Sequence, residues 1–366
     1  MSRGTRVSSA RGYNRRLSAD SLDPAETDAD TMAAWVGAMD PKEQEKLAQI
    51  WSAARQAWRG SMSAEVAEAL DRCIASFHTV GGILSFGDLR VTDVLGTGAF
   101  ATVYKALLPG PAGAPRVVAF KKLGTDNMQA MSVKTLADFE CEVDLLRRLD
   151  HPNIVAFMGT TVDPLGVVTE FCSRGNLMVM LHNESVALTW ARKLSIVTDT
   201  ARGMCYLHAQ RPTILHRDLK SLNILLDEHW NTKVTDFGLS RFKADSIAGN
   251  MTGQTGTYHW MAPEVINAEK YDERADVYSF GIILWEVYGR AIPYEGMTPV
   301  QIVAAVVARR ERLPIPAGAP PQYADLIARC WAHDPAERPQ FSEVLGVLEE
   351  MLQKHEKSHK LRDRTV

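Results

Sequence analysis

The stretch from Leu215-His216-Arg217-Asp218-Leu219-Lys220-Ser221-Leu222-Asn223 to Val234-Thr235-Asp236-Phe237-Gly238 constrains this chain more than any other. Two short strand-like runs, Ile224–Leu226 and 233–235, flank a polar, turn-forming segment at 227–231, and that pattern predicts a β-hairpin. Closing the hairpin brings its open ends together, so Asn223 and Asp236 are expected side by side. Both offer oxygen, the ligand type that a hard ion such as Mg²⁺ prefers. A second carboxylate, Asp218, precedes Asn223 by five residues. One amide and two carboxylates then converge where a metal-bound phosphate can meet a hydroxyl.

The rest of the composition sets the frame. A chain of 366 residues has room for a large core and more than one lobe. Its 41 Lys and Arg nearly cancel its 44 Asp and Glu, so no global field favours nucleic acid or a membrane surface. Five scattered cysteines with no CxxC pair suit a reducing compartment. The longest apolar stretch of note, 278–285, is far short of the roughly 20 residues a membrane span needs. Ser2 stands where myristoylation requires glycine, and the C-terminus carries no prenylation signal. The expectation is a soluble, cytoplasmic protein.

Residues 1–38 read as a disordered tail, basic over its first half and acidic after it. Arg15-Arg16-Leu17-Ser18 has the form of a basophilic phosphorylation site, although a solvated basic tail explains it more simply. Asp40-Pro41 then opens a helix, with Leu47, Ile50, Trp51, Ala54 and Trp58 at helical spacing. A second helix, about 63–78, places Val66, Leu70, Ile74 and Phe77 on one face. This helical hairpin (39–82) either packs on the domain that follows or serves as a docking surface or regulatory brake.

The order His-Arg-Asp-Leu-Lys-x-x-Asn, hairpin, Asp-Phe-Gly resembles the catalytic and metal loops of the protein kinases. The resemblance implies an α+β, bilobal fold: a small antiparallel β-sheet lobe with one helix (83–168), a hinge (169–175) and a larger, mainly helical lobe (176–352). A basic tail is expected at 353–366. In that frame Leu95, Gly96 and Gly98 belong to a glycine-rich loop that lets backbone N–H groups approach phosphate, with Phe100 at its tip. Ala101 stands where the family has a third glycine. Lys121 aligns with the lysine that grips the α- and β-phosphates, and Val103, Ala119 and Leu225 enclose the adenine. Glu142, at the edge of the apolar stripe of a helix over 134–150, is an inward carboxylate in need of a partner, and Lys121 is the natural one.

The resemblance also makes Thr169 the gatekeeper and gives the backbones of Glu170 and Cys172 to the adenine edge. Asp218 receives or orients the hydroxyl proton, Lys220 steadies the γ-phosphate, and Asn223 and Asp236 hold Mg²⁺. Lys220, with Gly256-Thr257 ahead of Tyr258, points to Ser/Thr hydroxyls of protein substrates. Arg217 implies activation by an upstream kinase acting on Ser246, Thr252 or Thr255. Asp276 is expected to brace the catalytic loop, and Arg338 to pair with Glu264. Trp260-Met261-Ala262-Pro263-Glu264 and Asp276-Val277-Tyr278-Ser279-Phe280-Gly281 resemble the tyrosine-kinase-like group, mostly Ser/Thr enzymes. The alternatives are a partner-binding pseudokinase, a dual-specificity kinase or a small-molecule phosphotransferase.

Overall fold

Alternating burial along the first strands sets the architecture of the small lobe. Strand β1 (Arg90–Thr97), β2 (Ala101–Pro109) and β3 (Pro115–Leu123) form an antiparallel meander, and β2 places Thr102, Tyr104 and Ala106 inward between half-buried neighbours. The computed structural model describes residues 63–98, 101–110, 114–124, 132–237 and 258–362, together with Lys42, Glu45, Lys46 and Gln49. Helix α1 (Ala64–Val80) precedes the sheet, and helix α2 (Val133–Arg148) follows β3. Strands β4 (Phe157–Val162) and β5 (Leu165–Glu170) then complete a five-stranded sheet of order β1-β2-β3-β5-β4. One core under this sheet gathers Phe86, Leu89, Val91, Tyr104, Phe120 and Val168. Its other face joins the large core that runs through the rest of the molecule.

Ser132 starts α2 by accepting a hydrogen bond from Thr135 N at 3.1 Å. The expected stripe of Leu136, Phe139, Val143, Leu146 and Leu149 is buried. On α1 the buried residues are Ala69, Leu70, Cys73 and Phe77, while Val66 and Ile74 are only partly covered. Each such large side chain taken wholly out of water contributes about 1.5–3 kcal/mol. Of the preceding predicted helix, Lys42, Glu45, Lys46 and Gln49 are helical and exposed. Its apolar positions, the 1–38 tail and the serine and threonines expected as activation sites lie outside the described residues.

The large lobe opens with β6 (Gly175–Asn176), α3 (Leu177–His182) and α4 (Trp190–His208). The predicted hairpin follows, as β7 (Ile224–Leu226) and β8 (Thr232–Val234), with Leu225 opposite Lys233. Asp227 fixes its turn by accepting from His229 N and Asn231 N, both at 2.8 Å. After α5 (Pro263–Ile266), helix α6 (Arg274–Gly289) is buried continuously from Ala275 to Val287. A helix buried all round belongs in the middle of a lobe, and α6 is its axle. Helices α7 (Pro299–Val303), α8 (Pro321–Cys330) and α9 (Phe341–Arg362) surround it. Residues 353–362, expected as part of a basic tail, continue α9.

Candidate active site

The hairpin ends meet as its closure demands: Thr235 N donates to Asn223 O at 3.0 Å, which sets Asp236 beside Asn223. Asp236 has φ 58° and Arg217 φ 64°, left-handed values that non-glycine residues adopt only when their surroundings enforce them. Both strained residues adjoin the 218–223 loop and the end of the hairpin. Asp218 is buried, and its carboxylate accepts from Lys220 Nζ at 3.0 Å and from Asn223 Nδ2 at 3.2 Å. Asn223 Nδ2 also donates to Asp218 O at 2.8 Å, so the amide locks the carboxylate in place and keeps its own oxygen as a hard donor.

Across from this loop, Lys121 Nζ lies 2.9 Å from Glu142 and 2.7 Å from Asp236. Burial opposes the Lys121 charge, but the Asp236 and Glu142 carboxylates outweigh it and hold the ammonium above its ordinary value. Glu142 is buried, which raises its pKa, while Lys121 pulls it back. One Glu142 oxygen thus meets Lys121, and the other has no hydrogen-bond partner among the described residues.

Two carboxylates of α6 carry the 216–221 loop. Asp276 accepts from His216 N and Arg217 N, both at 2.8 Å, and is 2.9 Å from His208 Nε2. Burial works against its charge, but the His208 ring and the His216 contacts prevail and hold its pKa below the usual value. At the other end, Ser221 Oγ donates to Glu286 Oε1 at 2.7 Å, and Trp260 Nε1 donates to Oε2 at 3.1 Å. Glu286 has no role in the sequence-based expectations. It is fully buried with two neutral donors, and burial pushes it up to about 7 against those two hydrogen bonds. A carboxylate inside the apolar run 278–287 is itself a sign of a buried partner.

This predicts a pH dependence of stability. A folded-state pKa raised from 4.5 to about 7 means that the folded protein binds the extra proton between those values. The stabilisation is therefore full below about pH 4.5 and lost as pH rises through 7. Glu286→Gln keeps an acceptor for Trp260 and a donor for Ser221, and should raise stability by about 3 kcal/mol at pH 8 but by under about 1 kcal/mol at pH 5. Melting curves of both proteins at the two pH values test this, and an equal gain at both would refute it.

Between the lobes lies a cleft of about 310 Å³. Leu95, Gly96, Val103, Ala119, Lys121, Glu142, Thr169, Glu170, Cys172, Leu225 and Asp236, all singled out from sequence, line it. Gly98, Asp218, Lys220 and Asn223 do not. Gly98 closes the β1–β2 turn by donating to Ala101 O at 2.8 Å, and Phe100 is outside the described residues. A Cβ on Gly96 would meet nothing within 4 Å, so protein packing does not demand glycine there. Val155, Asn176 and Leu222 also line the cleft without having been anticipated. Glu170 is tied down twice, to Lys233 Nζ at 2.9 Å and Ala156 N at 2.8 Å, so its side chain pins the hinge to the hairpin. His216 and Phe237 stack edge-on at 6.3 Å as buried packing groups. Thr257, read with Lys220 as pointing to Ser/Thr hydroxyls, lies outside the described residues.

Two lobes thus meet at a lysine–carboxylate cleft, above a loop hung from a buried helix. Residues 89–348 match the family model described as protein tyrosine and serine/threonine kinase. The probable serine/threonine-protein kinase drkD of Dictyostelium discoideum is 45% identical over 275 residues, covering 75% of this chain and 20% of that protein. Serine/threonine-protein kinase CTR1 of Arabidopsis thaliana is 42% identical, covering 72% of this chain and 32% of that protein. Serine/threonine/tyrosine-protein kinase HT1 of the same plant is 41% identical, covering 71% and 66%. The chain belongs to the protein kinase family, in its tyrosine-kinase-like group. It spans about a fifth to two thirds of these relatives' lengths.

Proposed function

We propose that this chain is a catalytically competent serine/threonine protein kinase that transfers the γ-phosphoryl group of ATP to hydroxyls of protein substrates. The observation that carries this reading is the seat of Lys121 between Glu142 and Asp236, on the wall of a cleft large enough for a nucleotide. Val103, Ala119 and Leu225 enclose the adenine, the main chain at Glu170 and Cys172 meets its edge, and Thr169 leaves the back of the pocket open. Leu95, Gly96 and Gly98 border the phosphates from above. Lys121 stays charged through the neutral range and grips them.

The donor set suits Mg²⁺. Among the described residues no group of three or more His, Cys, Asp or Glu is placed to cage a metal. An ion that needs only one or two protein oxygens, the others coming from phosphate and water, fits the Asn223 oxygen and the Asp236 carboxylate. Such an ion, when bound, neutralises charge on the phosphates. Asp218 orients the incoming hydroxyl and takes its proton as the new O–P bond forms and the bond to ADP breaks. Lys220 offsets the charge of the moving phosphoryl group.

Arg217 Nε is buried without a hydrogen-bond partner among the described residues, which supports activation by a phosphate placed on the 238–257 segment by an upstream kinase. Five free thiols suit a cytoplasmic setting, and among the described residues no helix is long and apolar enough to cross a membrane.

Purified full chain with ATP, Mg²⁺ and a generic basic protein, beside Asp236→Ala, tests the enzyme reading: equal labelling by both would end it and favour a partner-binding pseudokinase. Phosphoamino-acid analysis tests the hydroxyl choice. Phosphoserine and phosphothreonine should dominate, and mainly phosphotyrosine would refute it.

A further inference from the structure

Helix α1 is fastened to the small lobe by two attachments of different kinds. Its apolar face packs on α2, with Phe77 edge-on to Phe139 at a centroid distance of 6.0 Å. Leu70, Cys73 and Phe77 are all at most 2% exposed, so this contact is as dry as the lobe's own core. Past the helix the backbone turns through Gly81 and Gly82, with φ 77° and 80°, a pair of left-handed residues that side chains would strain. It then runs beside β4. Thr160 N donates to Gly82 O at 3.0 Å, Leu84 N donates to Thr160 O at 2.7 Å, and Ile83 bridges Thr160 in the parallel sense.

Strand β4 is the edge of the sheet, so these bonds cover part of a row that would otherwise stay open. The approach is close enough to need glycine opposite it. A Cβ on Gly159 would lie 2.6 Å from the Leu84 side chain and 2.9 Å from Gly82 O. Residues 63–84 therefore grip the helix that bears Glu142 at one end and the sheet that bears Lys121 at the other. Phe139 and Glu142 are three residues apart on α2, neighbours on the helix surface, so a shift of one carries the other. The Lys121–Glu142 contact at 2.9 Å tolerates little such movement.

Resting on the kinase reading above, we propose that residues 63–84 form a positioning strut for phosphoryl transfer: docked on α2 and β4 they hold Glu142 on Lys121, and undocking them lowers turnover while the large lobe stays folded. Neither residue type nor spacing in 63–84 suggests catalysis, and none of its side chains lines the cleft. Its influence runs through its contacts with α2 and β4.

The test uses the full chain and four variants: Phe77→Ala, Phe77→Leu, Gly159→Val and, as a control on the exposed face of α1, Arg72→Ala. Four quantities are read for each: kcat, KM for ATP, Mg·ATP affinity, and amide exchange in α2 and α6. Phe77→Ala and Gly159→Val should each lower kcat about tenfold or more, since deleting a buried aromatic or forcing a side chain into occupied space shifts docking by at least that factor. Exchange in α2 should quicken while α6 keeps its protection. Phe77→Leu should recover most of the activity, and Arg72→Ala should behave as wild type.

Quickened α2 exchange with unchanged kcat would overturn the proposal. So would a loss of kcat that appears only together with loss of α6 protection, because the helix would then be mere ballast for global stability. If wild-type protein transfers no phosphate, the kinase reading fails on its own. The strut is then judged by Mg·ATP affinity, and unchanged affinity in Phe77→Ala with α2 loosened would sink it.

Discussion

Asp218→Asn should slow phosphoryl transfer by about 10²–10⁴-fold, the usual weight of a general base, and leave the KM for ATP nearly unchanged. The split follows from where Asp218 sits. It is absent from the lining of the nucleotide-sized cleft, and its neighbours are Lys220 at 3.0 Å and the Asn223 amide at 3.2 Å. The substitution preserves shape and one acceptor for Lys220, so the loop retains its anchors on α6. What it removes is the second acceptor oxygen and the negative charge that draws the hydroxyl proton. Asp236→Asn should differ in kind, because Asp236 both lines the cleft and pairs with Lys121 at 2.7 Å. That variant should weaken nucleotide binding and turnover together. Steady-state kinetics over ATP concentration separates the two patterns. Transfer by Asp218→Asn within about tenfold of wild type would remove Asp218 from the role of base.

Arg338→Ala should destabilise the large lobe by about 3–5 kcal/mol, the range for stranding one member of a buried ion pair. Arg338 is fully buried and every one of its guanidinium nitrogens is engaged. Its two terminal nitrogens meet Glu264 at 2.6 and 2.8 Å, and the carbonyls of Arg274, Ala332 and His333 take the other hydrogens. Removing it leaves the Glu264 carboxylate in a site shielded from water. For a lobe of this size the loss should lower the melting temperature by roughly 10 °C. Arg338→Lys should fall between, since an ammonium retains charge but not the two-pronged geometry. Arg329→Ala, an exposed helix pair 2.8 Å from Asp325, is the control and should cost under about 1 kcal/mol. Equal melting of Arg338→Ala and Arg329→Ala would refute the argument.

The frame of the candidate site was legible because its geometry rests on local rules. A polar turn between two apolar runs gives the 224–234 hairpin, and its closure alone brings Asn223 to Asp236. Glu142 could be assigned because a carboxylate on an apolar stripe needs a cation, and Lys121 supplies it at 2.9 Å. The Asp276 and Glu264–Arg338 contacts came from resemblance to a family, and the geometry agrees with both. Glu286 escaped because its partners, Ser221 and Trp260, come from separate segments that only tertiary packing joins. The Glu170–Lys233 pair and the parallel bridge of Ile83 to Thr160 escaped for the same reason. Helix α9 outran its predicted end because nothing in 353–362 stops it: no proline or glycine interrupts that run.

Helix α6 has a consequence for how this chain can vary. Asp276 and Glu286 are ten residues apart on one rigid rod, about 15 Å along its axis. Residues 216–221 are fastened at one end to the first and at the other to the second. The rod therefore meters the loop: insert or delete a single residue between His216 and Ser221, and one fastening must let go. The length of that span is therefore set by the rod, independently of what its side chains do.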